Sequence, residues 1–148
     1  LQGCPSPHRG GCGGSVMGAF LHANGAPDEI SIGYIGFGMV RCQLANSFSK
    51  ELGKMYEKPY KDMSFKEFSE KEVEWWNRIC PEGLDLFLWV RDTGGKLSAS
   101  QCKKVISDLD KYPMKWPDDW RTDWLEKYER IKELIRWCAK TRHTLYIE

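Results

Sequence analysis

Clear β-strand patterning occurs only at the two ends of this chain, and that placement constrains the fold more than any other feature. Near the start, "MGAFLHA" and "EISIGY" flank the turn cluster Asn24-Gly25-Ala26-Pro27-Asp28, so residues 17 to 34 read as a β-hairpin. Ile30, Ile32 and Tyr34 alternate with Ser31 and Gly33, giving one apolar face. At the far end, "TLYIE" returns to a β pattern and is expected to pair with the hairpin. A sheet that joins the chain ends is the natural closure.

Helical periodicity fills the interval. Val40, Leu44 and Phe48 recur every four residues, which predicts a helix to about Leu52 or Met55, ended by Pro59. A second helix begins near "SFKEFSEKE", where both Ser64-x-x-Glu67 and Ser69-x-x-Glu72 fit a capping box, and stops at Pro81. "GLDLFLWV" fits either a buried strand or an apolar helical turn. After the turn "RDTGGKL", Ser98-x-x-Gln101 caps a third helix to about Tyr112, and "PMKWPDDW" is a Pro-rich loop. The fourth helix carries Trp124, Tyr128, Ile131, Ile135 and Cys138 on one stripe, with Glu126 four residues before Arg130 on its outer face. Asp118 and Asp119 are expected to begin it. The fold class that follows is α+β: a small, about three-stranded, antiparallel or mixed sheet packed by about four helices.

Residues 1 to 16, "LQGCPSPHRGGCGGSV", have almost no apolar periodicity and lack the charged start and apolar stretch of a secretion signal. They are expected to lie outside the fold, as a cloning scar or as a segment upstream of the true start at Met17, leaving residues 17 to 148 as one domain. Cys4, His8 and Cys12 offer three metal ligands where a closed zinc site needs four. No metal and no cofactor is therefore expected.

Charge excludes several partners. Lys and Arg total 22 against 21 Asp and Glu, so no global field draws the chain to bulk nucleic acid or to a membrane surface. No apolar run approaches the length of a bilayer span. Cys42, Cys80, Cys102 and Cys138 sit on helical patterns with no CxxC among them, as reduced, small buried hydrophobes in a cytoplasmic protein would. Seven tryptophans are the compositional excess, serving as core filling or as a stacking surface.

No catalytic constellation is recognisable. His22 falls on a strand and His143 after the last helix, and no HExxH, GxSxG or P-loop pattern occurs. "WVRDTGGKLSASQ" compares poorly with a calcium loop, because Asp92 is its one acidic ligand and Gln101 stands where a bidentate glutamate belongs. The stretch nearest to a chemical motif is "SIGYIGFGMVRCQ". Its glycines fall as G-x-x-G-x-G, and the second strand and acidic residue of a dinucleotide fold are missing. What remains is a sharp strand-to-helix turn followed by Arg41, either a geometric device or an amide-plus-arginine phosphate site.

Several of these parts together resemble small uncharacterised proteins of phages and bacteria: the Met17-Gly18 start, Gly33-Tyr34-Ile35-Gly36-Phe37 with Arg41, and "LFLWVRDTGGKLSASQCKK". Val90 and Arg91 replace the His-Ser of that group's polar turn, and Gly94 replaces its second Asp. The resemblance implies a phage or mobile-element setting and no particular activity.

The expected function is thus a non-catalytic binding protein, in concrete form a counter-defence protein that sequesters a nucleotide-like signalling ligand. Its candidate site comprises Tyr34, Gly36, Phe37, Gly38 and Arg41, with Trp75, Trp76, Trp89, Arg91 and Asp92 as stacking and polar groups. Trp75 and Trp76 point about 100° apart on a helix, so one should enter the core and one stay available. A cavity shared by two subunits of a homo-oligomer would be a natural container. The alternatives are a protein–protein interaction module, of immunity or virion-accessory type and directed at a host protein, and a nucleotide-processing enzyme with His22 or His143 as base.

Overall fold

A computed structural model describes residues 18–61 and 68–148. In chain order the elements are β1 (Gly18–His22), β2 (Ile30–Gly33), α1 (Tyr34–Phe48), α2 (Lys50–Lys61), α3 (Glu70–Ile79), α4 (Glu82–Trp89), β3 (Gly95–Leu97), α5 (Ala99–Lys111), α6 (Thr122–Thr141) and β4 (Leu145–Ile147). The class is α+β, with six helices and a four-stranded sheet among the described residues. The readings placed on Cys4, His8, Cys12 and Met17, and the alternative helix start at Ser64, fall outside the described residues.

The sheet joins the chain ends as expected. Its order is β2-β1-β4-β3 and every pair is antiparallel. β1 pairs with β2 from Gly18↔Gly33 to Leu21↔Ile30, and with β4 through Leu21↔Ile147 and His22↔Tyr146. Phe20 and Glu148 exchange backbone hydrogen bonds of 2.9 Å in both directions, which extends the seam by one residue. Alternation sends Ala19, Leu21, Ile30, Ile32, Leu97, Leu145 and Ile147 into the core. The opposite face carries Phe20, His22, Lys96 and Tyr146, with the rings of Phe20 and Tyr146 each stacked with His22, at 5.0 and 5.7 Å.

The chain departs from expectation in four places. First, the helix predicted to run to Leu52 or Met55 is two. Ser49 is extended (φ −160°, ψ 132°), ends α1 through its N–H to Ala45 O, and accepts from Leu52 N at 3.2 Å to start α2. A serine hydroxyl offers the backbone this alternative partner, so the chain turns there although the apolar spacing continues. α2 then runs to Lys61, past the predicted stop, because a proline in a last turn removes only one backbone bond.

Second, "GLDLFLWV" resolves as helix α4, with Gly83, Leu84, Phe87 and Leu88 buried and Asp108 Oδ2 accepting from the N–H groups of Gly83 (2.7 Å) and Leu84 (3.2 Å). Third, the "RDTGGKL" turn contains strand β3, which raises the sheet from three strands to four. Fourth, α6 begins at Thr122, so Asp118 and Asp119 lie in the preceding turn rather than in its first turn. On α6, the principal partner of Arg130 is Asp28, with Glu126 contributing a weaker charge interaction. Arg130 forms a two-pronged pair with Asp28 (2.9 and 2.8 Å) and so ties the hairpin loop to the helix.

The remaining boundaries match. Ser69 and Ser98 each complete a reciprocal capping box, with Glu72 and with Gln101. Val105, Ile106 and Leu109 of α5 meet Ile131, Leu134 and Ile135 of α6 within one continuous core. Cys80, Cys102 and Cys138 are buried free thiols. Burial, with the carboxylates of Asp85 and Asp108 nearby, pushes the Cys80 thiol up to about 12. Among the described residues no helix is long and apolar enough to cross a membrane.

Candidate functional site

A cleft of about 440 Å³ opens between the N-terminal half of α1 and the end of α4, within the usual range for small-molecule sites of about 300–1,000 Å³. Helical spacing puts Tyr34, Gly38, Arg41 and Cys42 of α1 on one wall. The other wall is Leu88 and Trp89 of α4 with the segment that leaves it, Val90, Arg91 and Asp92. Tyr34 Oη lies 3.0 Å from Thr93 Oγ1, which joins the two walls at one end.

The turn that presents Arg91 and Asp92 is fixed by two glycines. Gly94 has φ +78°, a left-handed conformation that side chains rarely adopt. At Gly95 an added Cβ would stand 2.1 Å from the carbonyl oxygen of Arg91, so the backbone closes on itself there. Neither Arg91 nor Asp92 has an ion pair or side-chain hydrogen bond among the described residues, and both line the cleft.

Arg41 is the one buried charged side chain among the described residues, with 6% of its surface exposed. Its Nη1 donates to the carbonyls of Phe87 (3.3 Å), Leu88 (2.9 Å) and Val90 (2.6 Å), and its guanidinium carbon sits 3.9 Å above the Phe37 ring. The cause lies in α4. Its last turn has no basic residue, and its final carbonyls have no partner within the helix, so a cation from α1 takes the negative end of the helix. No carboxylate pairs with Arg41 among the described residues, and Nε and Nη2 make no hydrogen bond there. The guanidinium is thus held by one nitrogen and borders the cleft with its other donors unspent.

Of the ten residues expected to form the site, Tyr34, Gly38, Arg41, Trp89, Arg91 and Asp92 line the cleft. The other four do not. Phe37 is in the core, edge-on to Phe87 with centroids 6.0 Å apart. Gly36 is buried because the indole of Trp124 lies where its Cβ would be, at 2.5 Å. Trp76 is buried and donates its Nε1–H to Asp85 Oδ1 at 2.7 Å, while Trp75 is half-buried against the core. The expected division of that pair holds for Trp76, but Trp75 does not reach the cleft.

The glycines of "SIGYIGFGMVRCQ" are not explained by the turn itself. None of Gly33, Gly36 and Gly38 has positive φ, so left-handed freedom is not what the strand-to-helix junction requires. At Gly38 an added Cβ would meet no atom within 4 Å, because that position faces the open cleft.

Ile35, Met39, Cys42, Leu88 and Val90 line the cleft without having been singled out. For Ile35 the signal was its place one residue after Tyr34 at the helix start. It is 78% exposed, and Trp89 across the cleft is 40% exposed. His22, which contacts Glu148, and His143, which lies 2.7 Å from Thr141 Oγ1 and stacks on Trp137, are both outside the cleft. Among the described residues no three His, Cys, Asp or Glu side chains gather as a metal would need. No protein-family model, no curated protein sequence and no solved structure matches this chain.

Proposed function

We propose that this chain is a non-catalytic binding protein that takes a nucleotide-like anion into the cleft between α1 and α4. The observation that carries this reading is Arg41: a buried guanidinium with no carboxylate among the described residues, oriented through one nitrogen and bordering the cleft with Nε and Nη2 unspent. An anionic oxygen placed there would gain charge-assisted hydrogen bonds from a donor already fixed in position. Tyr34 and Trp89 line the same cleft and supply ring faces for a planar base, a contact that every base can make. Arg91, exposed and unpaired at the rim, is a second cation for a phosphate chain.

In the phage or bacterial setting that the sequence resemblance implies, holding such a ligand unchanged would remove a signalling nucleotide from a host cytoplasm, and a second subunit would close the open side of the cleft. A second reading has its own observation. Ile35 and Trp89 expose large apolar surfaces on opposite walls of the cleft, as an anchor site for a protein partner would.

Calorimetric titration and thermal-shift measurements with mono-, di- and cyclic nucleotides separate the two. The first reading expects saturable binding, a rise in Tm, and recovery of the nucleotide chemically intact. It is abandoned if millimolar nucleotide produces neither heat nor a shift.

A further inference from the structure

Resting on the nucleotide reading of the cleft, we propose that Asp92 reads the base edge and makes the site selective for guanine nucleotides. The cleft is asymmetric in its polar groups. Arg41 and Arg91 offer only donors, and Asp92 offers only acceptors. The Asp92 side chain is half-buried, has no hydrogen bond or ion pair among the described residues, and sits two residues after Val90, whose carbonyl anchors Arg41. A single ligand that satisfies both groups must carry an anion for the guanidinium and a donor edge for the carboxylate.

The common bases differ on that edge. Guanine presents N1–H and the 2-amino group side by side, two parallel donors that match the two oxygens of a carboxylate. Adenine and cytosine each present one donor beside a ring nitrogen lone pair, and uracil presents one donor between two carbonyl oxygens. Against any of these three, a carboxylate meets a lone pair where it needs a proton, so the wrong base is repelled as well as less well bound. Arg41 holds the phosphate and is indifferent to the base. Selectivity therefore rests on Asp92 alone.

The test is titration calorimetry of the full chain with GDP, IDP, ADP and UDP, repeated on Asp92→Asn. GDP is expected to bind roughly ten- to a hundredfold more tightly than ADP, by the usual worth of a two-bond base contact. IDP, which lacks the 2-amino group, should fall between them. Asp92→Asn should bring GDP and ADP within about threefold of each other at an unchanged Tm, since Asp92 has no side-chain partner among the described residues to lose. Equal affinity for GDP and ADP in the unsubstituted chain overturns the selectivity and leaves the nucleotide reading standing. Discrimination that survives in Asp92→Asn overturns the role of Asp92. Failure of all four nucleotides to bind overturns both.

Discussion

The Arg41 guanidinium carbon lies 3.9 Å above the ring of Phe37, one helical turn earlier on α1, while its Nη1 donates to Val90 O at 2.6 Å. The ring supports the cation from below and the end of α4 claims one of its edges. A side chain with 6% exposure is thereby tied to an acceptor 49 residues away, and the two walls of the cleft are fastened together from inside.

Arg41→Ala leaves the carbonyls of Phe87, Leu88 and Val90 without that donor, and among the described residues only Leu88 O keeps a second partner, Tyr56 Oη at 2.7 Å. From the sequence, Arg41→Ala abolishes ligand binding at little cost to stability if Arg41 faces a pocket, and unfolds the protein if Arg41 serves the structure. The structure combines the two, because Arg41 lines the cleft and also caps α4. The expected loss is about 2–4 kcal/mol, the usual range for stripping partners from buried carbonyls. Urea denaturation measures it. Arg41→Lys should recover part of the loss, since one ammonium reaches some of the carbonyls but has no planar edge left over. A variant as stable as the parent would show that the carbonyls are satisfied by water.

Gly38 separates ligand binding from stability in the opposite direction. It sits inside α1 with negative φ, and a Cβ there meets nothing within 4 Å. Gly38→Ala should raise stability by about 0.5–1 kcal/mol, because alanine loses less backbone entropy in a helix. That corresponds to a rise in Tm of roughly 2–4 °C per kcal/mol for a chain of this size. The same position lines the cleft, so Gly38→Leu should weaken nucleotide binding without unfolding the protein. Unaltered affinity in Gly38→Leu would place the ligand elsewhere.

The contrast between α6 and α4 shows what the sequence could reveal of this fold. α6 runs 20 residues with one buried stripe, and α5 announces its start through Ser98 and Gln101, so both are legible from spacing and cap chemistry alone. α4 has eight residues, too few for a period to distinguish a helix from a buried strand. β3 is shorter still. Its three residues have strand character only because β4 lies beside them, and that partner is about 50 residues further along the chain. The break at Ser49 was hidden for another reason, since apolar spacing continues through it while a side-chain hydroxyl redirects the backbone.

The site was legible to a similar depth. Tyr34, Gly38 and Arg41 share a helix face, so one motif locates one wall. Trp89, Arg91 and Asp92 stand out as an aromatic and two charges at the end of an apolar run. What Arg41 does was not readable, because its partners are backbone oxygens at Phe87, Leu88 and Val90, and no residue type at those positions signals a carbonyl left free by a helix end. Ile35 and Met39 were missed because apolar residues on a helix look the same whether they face a core or a cleft.

Two carboxylates paired across elements, Asp28 and Asp110, contribute to the response to acid. Hydrogen bonds from Arg130 hold the Asp28 carboxyl below the usual carboxylate range, and those from Arg136 and Lys132 do the same for Asp110. A carboxylate with a depressed folded-state pKa contributes stability that is fully present above its unfolded value of about 4, and this is lost as the pH falls through that value towards the folded one. Stability should therefore decline between about pH 5 and pH 3. Both carboxylates are 44% exposed, so each pair is worth only about 0.2–1 kcal/mol. Asp28→Asn and Asp110→Asn should each flatten the acid limb of the stability curve measured by urea titration. A limb unchanged in the double variant would assign acid sensitivity to other groups.

Tyr56 and Tyr128 predict opposite outcomes for the same substitution. Both rings are buried. Tyr56 Oη donates to Leu88 O at 2.7 Å, and Tyr128 Oη has no hydrogen-bond partner among the described residues. Its ring packs on Phe87 with centroids 6.4 Å apart, and burial raises its hydroxyl pKa above the ordinary tyrosine value, the direction expected for a phenol kept from water. Deleting the paired Tyr56 hydroxyl costs one bond while its acceptor, Leu88 O, keeps the Arg41 donor at 2.9 Å, whereas deleting a hydroxyl that is buried and unpaired removes a desolvation penalty of about 1–3 kcal/mol, less the small void it leaves. Tyr56→Phe should thus lower stability by about 1 kcal/mol, and Tyr128→Phe should raise it by about 0.5–2 kcal/mol. Paired thermal and urea denaturation of the two variants gives both signs from one fold and one chemical change. A loss in both would mean that the Tyr128 hydroxyl has a partner in solution, most simply a buried water.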